Sequence, residues 1–182
     1  MREHSLKRCL IAGRFQPFHL GHLELVKQAK INFKEIIIVI GSSQFNYLYK
    51  DPFTSGERLV MLHDSLMESG FNLSDFYIVP IKNIENNFLW LSNVCSLVPS
   101  FSTIYSGNNL IYQLLKDSKI NIEKPKFLHK KKLNGTYIRK QILLNKKWEH
   151  LVPFAVSQTI KEIGGVERIK SLADPDADPM KW

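Results

Sequence analysis

Cysteine is nearly missing from this chain of 182 residues, which has only Cys9 and Cys95. Two thiols are too few for a disulfide scaffold or a cysteine zinc site, and they read as buried thiols in a reducing compartment. Long apolar runs are missing too. The longest, Ile36 to Ile40, is the length of a strand and falls far short of the roughly 20 residues of a membrane helix. Met1 to Lys7 lacks an apolar leader, which points to a cytoplasmic protein with no membrane association. Acidic residues are scarce, 17 against 25 Lys and Arg, for a net charge of +8. Nine of those 25 bases fall between Lys124 and Lys147, a stretch without an acid. Such an excess suits nucleic acid, and equally a small polyanion. What is present is core material: hydrophobic residues are 44% and aromatic residues 11% of the chain, which excludes a disordered chain. The length fits a single domain over 1–172, with Ala173 to Trp182, which holds two Asp-Pro pairs, as a flexible tail. No internal repeat is visible.

Apolar runs alternate with helical patterns. Cys9 to Ala12, Glu35 to Ile40, Phe76 to Val79 and Thr103 to Tyr105 read as strands, with Lys126 to His129 as a weaker fifth. Their runs are continuous rather than alternating, as in strands buried on both faces of a parallel sheet. Helices are expected over Leu20 to Lys30, Ser55 to Glu68, Phe88 to Leu97, Leu110 to Leu115, Thr136 to Leu144 and Phe154 to Ile163. Thr54 and Glu57 have the spacing of a capping box. The alternation predicts a doubly wound, Rossmann-like α/β domain, a parallel sheet with helices on both faces. Ligands in such folds sit at the carboxyl ends of the strands. Gly13–His22, Gly41–Asp51, Pro80–Trp90 and Ser106–Asn109 all fall there, and Asn134–Arg139 opens the helix after the fifth strand.

The first of these clusters carries the most chemistry. Gly13-Arg14-Phe15-Gln16-Pro17-Phe18-His19-Leu20-Gly21-His22 ends a strand and starts a helix. His19 and His22, three residues apart, share a helix face. Gly21 allows a ligand close to the helix start, where free N–H groups and the dipole favour an anion. Two imidazoles and the Arg14 fork add donors, so the segment suits a triphosphate. A zinc site lacks any other His or Cys at ligand spacing.

This segment resembles the signature of nucleotidyltransferases with a His-x-Gly-His motif, which implies a fold of nucleotidyltransferase type. Class I aminoacyl-tRNA synthetases share a related tetrapeptide, but their lysine-rich signature loop has no counterpart here. Asp51–Arg58, Tyr105–Asn108, Gly135–Arg139, Gly164–Ile169 and Ile84–Trp90 then narrow the likeness. Together, in order from about Arg8 to Leu172, they resemble the archaeal-type nicotinamide mononucleotide adenylyltransferases.

The resemblance implies transfer of AMP from ATP to nicotinamide mononucleotide, giving NAD and pyrophosphate. It assigns His19, His22, Arg14 and Arg139 to catalysis, with His19 nearest the α-phosphate and Arg139 facing solvent or ligand. Gly13, Phe15, Gly21, Gly107, Asn108 and Thr136 would bind ATP, Thr136 by capping its helix. Ser42, Lys50, Asn87 and Trp90 would bind the mononucleotide, with the Trp90 ring on the pyridinium and Asn87 on the carboxamide from one helix face. No metal ligand is assigned to the protein; Mg2+ would be held by phosphates. The expected partners are the two substrates and further copies of the chain, in a homo-oligomer.

Lys50, Asn109, Asn134 and Tyr137 depart from the family's usual residues, and Lys50 loses the fork of an arginine. The Lys130–Lys132 run reads as a solvated loop. Other acceptors of the superfamily, such as phosphopantetheine or a flavin mononucleotide, would not need Asn87 and Trp90. An RNA-binding module on Lys124–Lys147 would need interleaved aromatics; Phe127 and Tyr137 are too sparse, so no nucleic-acid partner is expected.

Overall fold

The computed structural model describes residues 8–126 and 133–174. Five strands, β1 (Arg8–Gly13), β2 (Glu35–Ile40), β3 (Phe76–Pro80), β4 (Thr103–Tyr105) and β5 (Asn121–Glu123), form one sheet in the order β3-β2-β1-β4-β5. Every pairing is parallel, with Leu10 opposite Ile37 and Ile104. The β-branched run Ile36 to Ile40 explains why β2 sits inside the sheet, since stiff branched side chains fill both pleated faces.

Alternate residues of these strands feed two cores. Cys9, Ile11, Ile36, Ile38 and Ile40 pack with α1 (Leu20–Asn32), α2 (Ser55–Glu68), α5 (Gly135–Leu143), α6 (Phe154–Glu162) and α7 (Gly165–Ser171). Leu10, Ile37, Val39 and Ile104 pack with α3 (Trp90–Leu97) and α4 (Asn109–Leu115) on the opposite face. Helices therefore cover both faces, as expected for a doubly wound sheet. Burying one such isoleucine stabilises the fold by about 2 kcal/mol.

Three expectations need correction. The fifth strand is Asn121–Glu123, not Lys126–His129; Lys126 has no regular structure and residues 127–129 lie outside the described residues. Cys9 is buried, but Cys95 is exposed on α3. A seventh helix follows Gly164, whose φ of 63° is the left-handed turn that separates α6 from α7. The Lys130–Lys132 run and residues 175–182 of the expected tail also lie outside the described residues.

The capping box of α2 is present and does more than cap. Glu57 accepts from the Thr54 N–H at 2.8 Å, and Thr54 Oγ1 accepts from the Glu57 N–H at 3.2 Å. The same carboxylate takes a fork from Arg168 on α7, at 2.7 and 2.9 Å. Arg168 also donates to Pro52 O and lies over the Tyr47 ring, so α7 fastens the segment that follows β2. Burial would raise the Glu57 pKa, but the bonds from Arg168 and Thr54 outweigh it and hold it below its usual value. A depressed carboxyl pKa gives stability that is present above the unfolded-state value and lost as pH falls through the folded one. This contribution should therefore persist to a pH below the ordinary glutamate range. Glu57→Gln should be less stable than the parent at pH 7 and should show a shallower loss on acidification, read from urea midpoints against pH.

Candidate active site

The strand order reverses beside β1: β2 and β3 lie on one side of it, and β4 and β5 on the other. The loops leaving β1 and β4 flank this switch point, where doubly wound sheets bind ligands. Gly13 ends β1 and its carbonyl accepts from the Gly41 N–H at 2.9 Å, joining the exits of β1 and β2. The exits of β2 and β3 are joined in turn: Ser42 donates from its N–H and its hydroxyl to Asn83 Oδ1, both at 3.1 Å.

His19 is the N-cap of α1, and its Nδ1 accepts from the His22 N–H at 3.3 Å. An accepting Nδ1 carries no proton, so the neutral ring presents an N–H at Nε2. The two imidazoles stack with centroids 3.5 Å apart. Phe18 stacks on His22, and Phe15 meets it edge-on at 4.8 Å. Burial pushes the His19 pKa down to about 4. Burial, with repulsion from His19, lowers that of His22 well below the usual value. Both are neutral at pH 7. Among the described residues, His22 Nδ1 is buried without a hydrogen-bond partner, as is Arg139 Nε. An unpartnered buried polar atom costs about 1–3 kcal/mol and calls for an explanation, such as a ligand.

Gly21 is there for the histidine as much as for a ligand. A Cβ at that position would stand 3.1 Å from the His19 ring and 3.2 Å from the Leu133 Cβ. Gly135 plays the matching part for α5, since a Cβ there would be 2.7 Å from Gln16 O. The start of α5 thus lies directly on the β1 exit. Arg139, one turn into α5, donates from Nη1 to Gln16 O at 2.6 Å and from Nη2 to Thr136 Oγ1 at 3.3 Å. Arg139 is only 4% exposed, so it is not solvated. The cap of α5 is Asn134, whose Oδ1 accepts from the Tyr137 N–H at 2.8 Å, and not Thr136, which is exposed on the helix.

Arg14 is exposed, and its Nη1 sits 3.4 Å from both oxygens of Asp51, a carboxylate 6% exposed. Burial lowers the pKa of Arg139 and of Arg58, and Arg14 lowers both further while Asp51 raises them. Arg14, Arg58 and Arg139 thus share Asp51, while Glu57, already paired with Arg168, also acts on Arg58. That leaves an excess of positive charge beside the neutral histidines, an environment fit for an anion.

Other assigned residues are less connected. Gly107 and Asn108 follow β4, and Asn108 caps α4 by accepting from the Leu110 N–H at 3.0 Å. Lys50 is exposed next to Asp51. Asn87 is exposed in a 3-10 turn, whereas Trp90 is half-buried against the core between the sheet and α3. A cavity of about 580 Å³ beside them is lined by Asn83, Glu85, Asn86, Leu89, Ser92 and Asn93, but by neither Asn87 nor Trp90. Among the described residues, no group of three or more His, Cys, Asp or Glu could hold a metal ion.

Sequence reasoning gave no role to Gln16, Asp51 or Arg58. Gln16 pairs its amide with the Phe53 backbone in both directions, at 2.9 and 3.0 Å, as a strand neighbour would. No local pattern marks such a contact. Arg58 follows Glu57 in the first turn of a helix, where a charge is usually solvated, yet it is fully buried.

The reversed parallel sheet, with a neutral histidine pair and clustered arginines at its switch point, defines a doubly wound α/β protein built to hold a polyanion. The chain belongs to the Cytidylyltransferase-like family, whose pattern matches residues 10–155. It is 43% identical over 178 residues to a nicotinamide-nucleotide adenylyltransferase of Pyrobaculum aerophilum, covering 97% of this chain and all of that one. It is 44% identical over 171 residues to the protein of the same name from Methanococcus vannielii, covering 94% of this chain and 98% of that one. Among solved structures, a bifunctional NMN adenylyltransferase/ADP ribose pyrophosphatase from Francisella tularensis superposes with a TM-score of 0.74 at 20% identity. That match covers 91% of this chain and 51% of the Francisella protein, so this chain spans about half of it. This likeness shows the fold alone.

The lowered histidine pKa values carry a prediction for stability. Native His19 and His22 resist protonation and the unfolded ones do not, so acid favours the unfolded chain. From His19 alone, stability should be lost between its ordinary 6.5 and about 4, by as much as about 3 kcal/mol. Urea midpoints at pH 7 and pH 5 measure this, and His22→Phe, with no proton to gain, should show a smaller difference.

Proposed function

We propose that the protein transfers AMP from ATP to nicotinamide mononucleotide, forming NAD and pyrophosphate. The observation that carries this reading is the neutral pair at the start of α1, buried His19 stacked on half-buried His22, beside Arg14 and Arg139. The near full-length identity with relatives that bear that activity in their names supports it.

An oxygen of the mononucleotide's 5′-phosphate attacks the α-phosphorus of ATP. A new P–O bond forms there, the α–β bridging bond breaks, and its electron pair leaves with pyrophosphate. The attacking phosphate is already ionised at neutral pH, so no general base is required. The protein's task is alignment and charge stabilisation. In our assignment the Nε2–H of His19 donates to the α-phosphate, and His22 adds a donor beside it. Neutral imidazoles suit this role because they bind without a proton being lost or gained. Arg14 releases Asp51 to meet the triphosphate, and Arg139 uses its spare donors on the departing pyrophosphate. Gly13, Phe15, Gly21, Thr136, Gly107 and Asn108 border the ATP position, and Ser42, Lys50, Asn87 and Trp90 the acceptor position. Mg2+ would screen charge between phosphates, and with no side-chain cluster to hold it among the described residues, it would arrive with the nucleotide.

The same reading carries a cytoplasmic location and assembly as a homo-oligomer, which light scattering would measure. No described helix is long and apolar enough to cross a membrane.

Pyrophosphate release from ATP and Mg2+, followed over a panel of acceptor phosphates, tests the assignment. Nicotinamide mononucleotide should be turned over, and phosphopantetheine and flavin mononucleotide should not; the opposite pattern would overturn the acceptor. His19→Ala should lower kcat by about 100-fold with a smaller change in KM, since a donor to the α-phosphate acts chiefly in the transition state. Trp90→Ala should raise KM for the mononucleotide by about 10-fold and leave that for ATP little changed, as expected for a cation–π contact. Its half-buried ring means that this variant should also melt earlier, so both constants belong at a temperature where circular dichroism shows it folded.

A further inference from the structure

Arg58 lies under the site and has no part in the chemistry above. Its side chain is fully buried, although it belongs to the first turn of α2. A guanidinium in that position would ordinarily pair with a carboxylate. Instead its bonds go to backbone carbonyls. Nε donates to Thr54 O at 3.2 Å, Nη1 to Arg14 O and Gly41 O, both at 2.9 Å, and Nη2 to Ser42 O at 3.2 Å. One planar fork therefore joins the exits of β1 and β2 to the start of α2.

Those two exits are unusual in a matching way. Phe15, which follows Arg14, and Ser42 each have a φ of 52°, a left-handed conformation that residues other than glycine seldom adopt. It persists where surrounding bonds over-determine it. The conformation at residue 15 sets the path between Arg14 and the histidine loop, and the one at residue 42 turns the chain toward Asn83.

We propose that Arg58 is a positioning residue that locks both left-handed exits, so that the Arg14 side chain and the His19 loop are already placed for a triphosphate before it binds. The lock depends on the geometry of the fork rather than on charge alone, because a lysine in the same place could not reach three carbonyls at two strand exits at once. This inference rests on the reading of His19, Arg14 and Arg139 as the triphosphate site.

The test uses inorganic tripolyphosphate as the probe, with calorimetric titration and melting curves for the full chain. Four proteins are compared: the parent, Arg58→Lys, Ser42→Gly, and the double variant. Arg58→Lys should bind tripolyphosphate about 10-fold more weakly than the parent at a temperature where both are folded. Glycine adopts the left-handed conformation without a lock. In the Ser42→Gly background only the exit at residue 15 still needs the lock, so the same change should cost less than in the parent, about 3-fold, a coupling that a purely structural role would not produce. Three results would overturn the proposal: Arg58→Lys melts earlier but binds as the parent does, the loss is equal in both backgrounds, or the lysine fails to fold in both. A parent protein that does not bind tripolyphosphate would instead sink the reading of the site itself, together with the lock beneath it.

Discussion

Parallel strands whose order reverses beside β1 impose a constraint that the rest of this molecule obeys. The chain leaving β1 and the chain leaving β4 run to helices on opposite faces, so their first residues cannot cover the gap between them. The protein answers with cross-links between successive exits, Gly13 to Gly41 and Ser42 to Asn83, and with α5 laid on Gln16. Each link leaves the crevice open and fixes its rim.

Within that rim, burial selects the chemistry. Histidines left in water would be partly protonated near neutral pH, and their charge would vary with conditions. Here Phe15, Phe18 and the start of α1 enclose them, so they remain neutral donors of fixed orientation. Positive charge comes instead from arginines, which stay ionised even when partly buried. On the assignment proposed above the division of labour is physical: imidazoles supply direction and guanidiniums supply field.

Much of this was legible in the sequence, for identifiable reasons. Strands β1, β2 and β4 announce themselves because central parallel strands are apolar on both faces, β3, at the sheet edge, because Phe76-Tyr77-Ile78-Val79 is aromatic and β-branched, and Thr54 and Glu57 mark the start of α2 because a capping box is local. β5 escaped because Asn121-Ile122-Glu123 offers one apolar residue at a sheet edge. α7 escaped because Gly164-Gly165 reads as a break, when the left-handed Gly164 is a turn between two helices. Around β1, spacing alone put His19 and His22 together at a helix start, where their rings stack, while their assigned role came from the resemblance. The burial of Arg139 and of Arg58 was not, because their acceptors are main-chain carbonyls supplied by remote segments, which no side-chain pattern records.

The bond from Arg139 to Gln16 joins residues 123 positions apart. On a ribosome the chain is made from the amino end, and β1 through β4 can pair long before α5 exists. Until Arg139 emerges, the loop of His19 has its strand but not the cation that rests on it. A half-made chain thus holds a sheet whose first loop lacks the bond from α5, and on the assignment proposed above a chain terminated before α5 would lack one wall of the anion seat.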